Sequence, residues 1–326
     1  MNPSLAPMAL PASLPCCDVA VLGAANMDIM VHTVTGLAAS DSNPGRILCA
    51  PGGVGRNVAE NLARLGLRTQ LFSVVGDDVF GQALLMATRQ AGVDVSPVRV
   101  VGGASSPSYL AWHGADGDML AAVNAMGLLD QLTPDALREQ GYPAAGARML
   151  VLDCNLLPSV FESVLQTASA PVFVDAVSVV KCEKVRPWLP RIHLLKMNQR
   201  EASVLSGQPI HAVGDALQAA RTLHQAGVRQ VVISLGAQGA CWCDEQGRTG
   251  HHPATPVEVV NTAGAGDALL AGLVLGCALD LPLAQAVQGG MACAEITLAS
   301  PHANAARLSL DTLRSHLGQP VWLAPA

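Results

Sequence analysis

The chain has 326 residues, half of them hydrophobic and 13% charged, with a net charge of −6 and a sequence pI near 5.8. That composition excludes a disordered chain, and its acidic balance offers nothing to a phosphate backbone, so nucleic-acid binding is excluded. No apolar run reaches the ~20 residues of a bilayer span, and the length suffices for one large α/β domain with a sizeable core.

Residues 1–17 are apolar and Pro-rich without Lys or Arg. They lack the charged segment of a signal peptide and read as a loose leader. The nine cysteines include Cys16-Cys17 and Cys241-x-Cys243, but no second pair stands at zinc spacing. They read as free thiols in a reducing compartment, the cytoplasm. Residues 18–23 form a short strand ending at Gly23. The loop that follows presents Asn26 and Asp28 two residues apart, able to grip vicinal hydroxyls if extended, or to serve as turn residues. Segments 30–35 and 46–50 read as strands around the turn Ser40-Asp41-Ser42-Asn43-Pro44-Gly45. After Gly52-Gly53, the helical spacing of Val58, Leu62 and Leu65 predicts a helix closed by Gly66. Its glycine-rich start permits close approach of a ligand. Asn57 near the first turn offers both a donor and an acceptor, or a cap.

Strand and helix patterns then alternate. Strands are expected at 69–75, 98–101, 149–153, 172–175, 194–198 and 230–235, and helices at 81–91, from 200, at 213–226 and at 309–317. A hairpin is expected from 108–113 and 118–123 around Gly114-Ala115-Asp116-Gly117. This rhythm predicts an α/β fold with a mainly parallel sheet covered on both faces, as one domain over 18–317 followed by a tail at 318–326. Ligands bind beyond the carboxyl ends of such strands, where Asp153, Asp175, Asn198, Ser234 and Asp267 fall. Segments 29–50 and 105–124 break the rhythm and read as a small projecting β-strand lid.

The stretch 259–273 passes from strand end through a loop of small residues into an Ala- and Leu-rich helix. The first-turn N–H groups have no intrahelical partner and, with the dipole, form an anion site beside the Asp267 carboxylate. Phosphoryl transfer needs such a pairing of anion hole and acid; a plain capped turn is the bland alternative. Gly23-Ala24-Ala25-Asn26 is no G-x-G-x-x-G fingerprint, which removes support for a dinucleotide-dependent oxidoreductase.

Gly52-Gly53-x-x-x-Asn57-x-Ala59 and Asn261-Thr262-Ala263-Gly264-Ala265-Gly266-Asp267 together resemble the two signatures of the PfkB (ribokinase-like) carbohydrate kinases. The resemblance spans residues 18–317 and implies a three-layer α/β/α kinase of the cytoplasm that uses ATP and Mg²⁺. It implies Asp267 as catalytic base, with the 263–266 loop of Ala263, Gly264, Ala265 and Gly266 forming the anion hole. Asn26, Asp28, Gly52, Gly53 and Asn57 would hold the sugar, while Asp41, Asn43, Ser108 and Asn124 are lid candidates for the rest of the substrate. Asn198, Ser234, Gly236, Gly239, Ala263, Gly264 and Gly266 would border ATP, with Glu201 and Asn198 meeting Mg²⁺ through waters. Asp41-Ser42-Asn43-Pro44-Gly45, Ser106-Pro107-Ser108-Tyr109-Leu110 and Asp153-Cys154-Asn155 are similar to a nucleoside-phosphorylating branch, and family members often dimerise through the lid. A kinase for another nucleoside or for ribose, and an inert binding protein on the same scaffold, are the alternatives. Many members have Asp where this chain has Asn261, and that Asp helps bind a monovalent cation. Asn offers oxygen without the charge, so K⁺ dependence stays open.

Overall fold

The computed structural model describes residues 17–34, 41–114, 118–142 and 146–318. Residues 1–16 of the leader expected over 1–17, 319–326 of the tail expected over 318–326, 35–40 of the lid segment and 115–117 of the hairpin lie outside the described residues. The first eight strands are β1 (Val19–Leu22), β2 (Asn26–Thr33), β3 (Gly45–Gly52), β4 (Thr69–Phe72), β5 (Val74–Gly76), β6 (Arg99–Val101), β7 (Ser108–His113) and β8 (Met119–Ala125). They are followed by β9 (Met149–Asp153), β10 (Val172–Asp175), β11 (Leu194–Asn198), β12 (Gln230–Ser234), β13 (Ala240–Cys243) and β14 (Thr249–His252). The helices are α1 (Val54–Arg64), α2 (Val79–Gln90), α3 (Pro134–Glu139), α4 (Pro158–Thr167), α5 (Gln199–Ser206), α6 (Val213–Gln225), α7 (Ala265–Ala278), α8 (Leu283–Leu298) and α9 (Leu310–Leu317). None of them is long and apolar enough to cross a membrane.

The main sheet runs β14-β13-β12-β11-β10-β9-β1-β4. β4, β1, β9, β10, β11 and β12 pair in parallel, and β13 and β14 close the edge as antiparallel neighbours. Because side chains alternate along a strand, each strand feeds two cores. Val19 and Val21 of β1 join the core under α1, α7 and α8, while Ala20 and Leu22 join the one under α4, α5 and α6. The result is three layers. Phe72, Phe161 and Phe173 are wholly buried, and each side chain contributes on the order of 2–3 kcal/mol by leaving water.

Several elements have no sequence signal. α8 is buried on most sides, so it shows no amphipathic stripe. It packs so closely on α7 that a Cβ on Gly272 would stand 2.5 Å from Gly290 Cα. The expected strand 69–75 breaks at Ser73, whose hydroxyl donates to Gly23 O at 2.7 Å. Asn26 and Asp28 lie on β2 rather than on a loop, because β2 continues the chain into the lid.

The lid is a four-stranded sheet in the order β3-β2-β7-β8. Its register aligns Ala50, Asp28, Tyr109 and Asn124 in one row and Pro51, Met27, Ser108 and Ala125 in the next. Paired residues share a face and successive residues alternate, so these two rows point to opposite faces.

Candidate active site

The carboxyl ends of β9, β10 and β11 carry Asp153, Asp175 and the Lys196-Met197-Asn198 stretch. Asp153 is a staple. Its Oδ2 accepts from Ala24 N and Gly55 N, both at 2.8 Å, and its Oδ1 from Asn155 N at 2.8 Å. Burial raises its pKa, and these backbone donors act in the opposite direction. The loop after β1 and the first turn of α1 are thereby tied to β9.

The stretch before α7 is shaped by two residues. Gly264 takes the left-handed conformation, φ 78°, and a Cβ there would collide with Ala303 O. Asn261 Oδ1 accepts from Ala263 N at 3.0 Å, and its Nδ2 donates to Pro301 O at 3.0 Å. The Ala263 N–H is therefore committed to the turn. The first bond of the helix is Ala268 N to Gly264 O at 2.9 Å, which leaves the N–H groups of Ala265, Gly266 and Asp267 ahead of the ladder as anion donors. Beneath them lies Lys196. A Cβ on Gly266 would come within 2.6 Å of its Nζ, so glycine there lets an ammonium reach the anion site.

Lys196 is buried with Asp175, Nζ to Oδ2 at 2.9 Å. Burial disfavours its charge, but Asp175 and Asp267 outweigh that and hold its pKa above the ordinary lysine value. Asp267 is only 8% exposed and accepts from Asn57 Nδ2 at 2.8 Å. Its burial, reinforced by Asp175, raises its pKa to about 7, against the opposing pull of Lys196 and Asn57. A carboxylate of that pKa is matched to accept a proton near neutral pH.

On the lid side Asn26 Nδ2 donates to Asp28 Oδ1 at 2.7 Å. A Cβ on Gly52 would collide with Asp28 Oδ2, and Gly53, φ 97°, leaves no room for a Cβ against Ala24 O. Burial raises the Asp28 pKa, with Asn26 and Arg56 acting in the opposite direction. Asn124 shares the Asp28 face, and so does Tyr109, which lies in the 106–110 motif but is not among the expected substrate contacts. Ser108 is on the opposite face and donates to Ser106 O at 3.1 Å. Asp41 and Asn43 close their own turn: Ser42 N donates to Asp41 Oδ1 at 2.7 Å and Asn43 Nδ2 to Asp41 O at 2.9 Å.

Asn198 and Glu201 form a capping box at the start of α5. Asn198 Nδ2 donates to Glu201 Oε1 at 2.6 Å and Asn198 N to Glu201 Oε2 at 2.8 Å. Both oxygens of Glu201 are engaged, and no group of three metal-ligating side chains forms among the described residues. A magnesium ion held by phosphate oxygens and water would meet these two residues only through that water. Ser234 ends β12, and Gly236 and Gly239, φ 59° and 92°, bracket the tight turn into β13, where a Cβ on Gly239 would collide with His252 O.

A buried carboxylate that titrates near neutrality, set at the mouth of an anion site built from a helix N-terminus and a lysine, defines a phosphotransferase with an alcohol as acceptor. A profile of the pfkB family carbohydrate kinases matches residues 17–309. The chain belongs to that family, and it is an ATP-dependent kinase. It is 39% identical over 299 residues to pseudouridine kinase of Escherichia coli, which covers 91% of this chain and 95% of that protein. A carbohydrate kinase from Agrobacterium tumefaciens superposes with a TM-score of 0.80 at 30% identity, covering 92% and 96% of the two chains. The Arabidopsis thaliana ribokinase complexed with ribose and ATP superposes with a TM-score of 0.79 at 21% identity over 93% and 99%, and shares the ribokinase-like fold.

Proposed function

We propose that this kinase phosphorylates the 5′-hydroxyl of pseudouridine to give pseudouridine 5′-phosphate, a step of pseudouridine catabolism in the cytoplasm. The observation that carries the substrate reading is the 39% identity to the E. coli pseudouridine kinase over nearly the full length of both chains. The buried Asp267 supports the mechanism. The hydroxyl oxygen attacks the γ-phosphorus of ATP, the bond to the β–γ bridging oxygen breaks, ADP leaves, and the hydroxyl proton passes to Asp267 Oδ. Backbone N–H groups of Ala265, Gly266 and Asp267 hold the charge on the transferring oxygens, and Lys196 adds its own. Magnesium, when bound, neutralises phosphate charge. Asn26, Asp28 and Asn57 orient the ribose hydroxyls, with Asn124 on the same lid face turned to the base. Closing the lid excludes water and suppresses ATP hydrolysis.

A purified-protein panel with ATP and pseudouridine, uridine, inosine or ribose tests this. Pseudouridine is expected to have the highest kcat/KM; faster turnover of ribose or a purine nucleoside would refute the substrate reading.

The lid also carries the assembly we propose, a homodimer. The face opposite Asp28 presents Ile47, Cys49 and Val123 to solvent, and the Trp112 indole N–H, buried on that face, has no partner. Replacing Ile47 by Glu should convert the dimer to a monomer in light scattering. A wild-type monomer would overturn the assignment.

A further inference from the structure

Asn57 stands between two groups that leave its side chain no choice. Arg56 Nη1 donates to Asn57 Oδ1 at 2.9 Å, and Asn57 Nδ2 donates to Asp267 Oδ2 at 2.8 Å. Arginine has donors alone and an ionised carboxylate has acceptors alone, so only one orientation of the amide satisfies both. Arg56 is itself held rigidly. It is 4% exposed; its Nε donates to Thr88 Oγ1 at 3.2 Å, its Nη1 also to Pro51 O at 3.1 Å and Asn304 Oδ1 at 2.8 Å, and its Nη2 to Glu60. Asn304 in turn donates to Asn57 O at 2.9 Å and Asn61 Oδ1 at 2.8 Å. α1 is buried along most of its length, and of these bonds only the one to Asn57 Oδ1 leads on to the reacting groups.

We propose that Arg56 is a positioning residue: it locks the Asn57 amide with its NH₂ group toward Asp267 and so favours the proton-accepting form of that carboxylate. The inference rests on the reading of Asp267 as the base. Without Arg56 the amide is free to rotate and present Oδ1, which Asp267 can meet only by keeping a proton. Arg56 is also coupled through space to Asp267 and to Asp28 of β2. The other charged groups around Asp267 are Lys196 and Asp175 from β11 and β10 and Asp153 from β9, with Glu201 of α5 acting on Lys196. None of them contacts Asn57 in this network, so they stay in place when Arg56 is replaced.

The test is the pH dependence of kcat/KM for the acceptor turned over fastest. In R56M the acid limb moves to higher pH by about one unit or more, the scale of a lost hydrogen bond to a charge, and activity recovers at alkaline pH. In an N57A background R56M adds no further displacement. An unmoved limb in R56M with uniformly lower activity would make Arg56 purely structural. An additive displacement in the N57A background would mean that Arg56 acts on Asp267 by its charge; either result overturns the proposal. If R56M does not fold, R56M/E60Q, which removes the carboxylate left behind, is measured in the same way. D267N separates the two readings: an acid limb that survives in D267N sinks the base assignment itself, whatever R56M does.

Discussion

Asn57 on α1 donates its side-chain amide to Asp267 on α7 at 2.8 Å, across 210 positions of chain. That bond joins the two glycine-containing motifs of the sequence into one site. The 301–304 loop completes the junction: Pro301 O accepts from Asn261, Ala303 O abuts Gly264, and Asn304 holds the backbone of Asn57.

The pKa of Asp267, raised to about 7, makes a direct prediction for the pH profile. The base is ionised above that value, so kcat/KM falls as pH drops through about 7, approaching tenfold per unit below it. Initial rates from pH 5 to 9 check this. A flat profile down to pH 5 contradicts a base of that pKa.

Asp267 also costs stability where it is charged. Its folded pKa lies above its ordinary value of 3.8, so stability is fully present below that value and is lost as pH rises through about 7. D267N removes the charge, and its turnover should vanish while ATP binding persists. Its melting temperature should exceed that of the wild type at pH 8 by a few degrees, with the difference shrinking as pH falls toward the ordinary carboxyl value of 3.8. Equal melting temperatures at pH 8 would refute the electrostatic account.

Gly264 and Gly266 respond differently to alanine. In G264A the left-handed backbone and the collision with Ala303 O cost about 2–4 kcal/mol, a large loss of thermal stability. In G266A the added methyl meets the far end of the Lys196 side chain at 2.6 Å, which must then shift from its pairing with Asp175. The lysine swings aside, the melting temperature stays within a few degrees, and kcat falls at least tenfold. Comparable destabilisation of the two variants would show that Lys196 cannot yield.

Asn261 bears on cation dependence. Its Nδ2 is committed to Pro301 O at 3.0 Å, and the amide carries no charge to attract an ion. Turnover is expected to be the same with K⁺ as with a bulky organic cation. N261D would set a carboxylate against the Pro301 carbonyl, so its stability and activity should rise on adding K⁺. Strong K⁺ activation of the wild type would sink this account.

Much of the fold was legible in local patterns. The short apolar runs ending at Gly23, Asp153, Asp175 and Asn198 marked parallel strands, and the two out-of-rhythm segments marked a lid. α8 was not legible, because burial on most of its surface erases periodicity. Ser108 and Asn124 both suited the lid, but only the β2–β7–β8 register separates them onto opposite faces.

The sequence by itself determined the backbone of the candidate anion site: a glycine turn and a helix start at 264–267 are set by neighbours a few residues apart. The strand end expected at 259–260 does not form, β14 ending at His252 and Val259 and Val260 being exposed. The tertiary structure alone decided how that site is charged. Asp175, Lys196 and Asn57 reach Asp267 from three other elements, and desolvation belongs to the whole fold. An acid of ordinary strength becomes a base near neutrality only when distant elements remove its water and choose its partners.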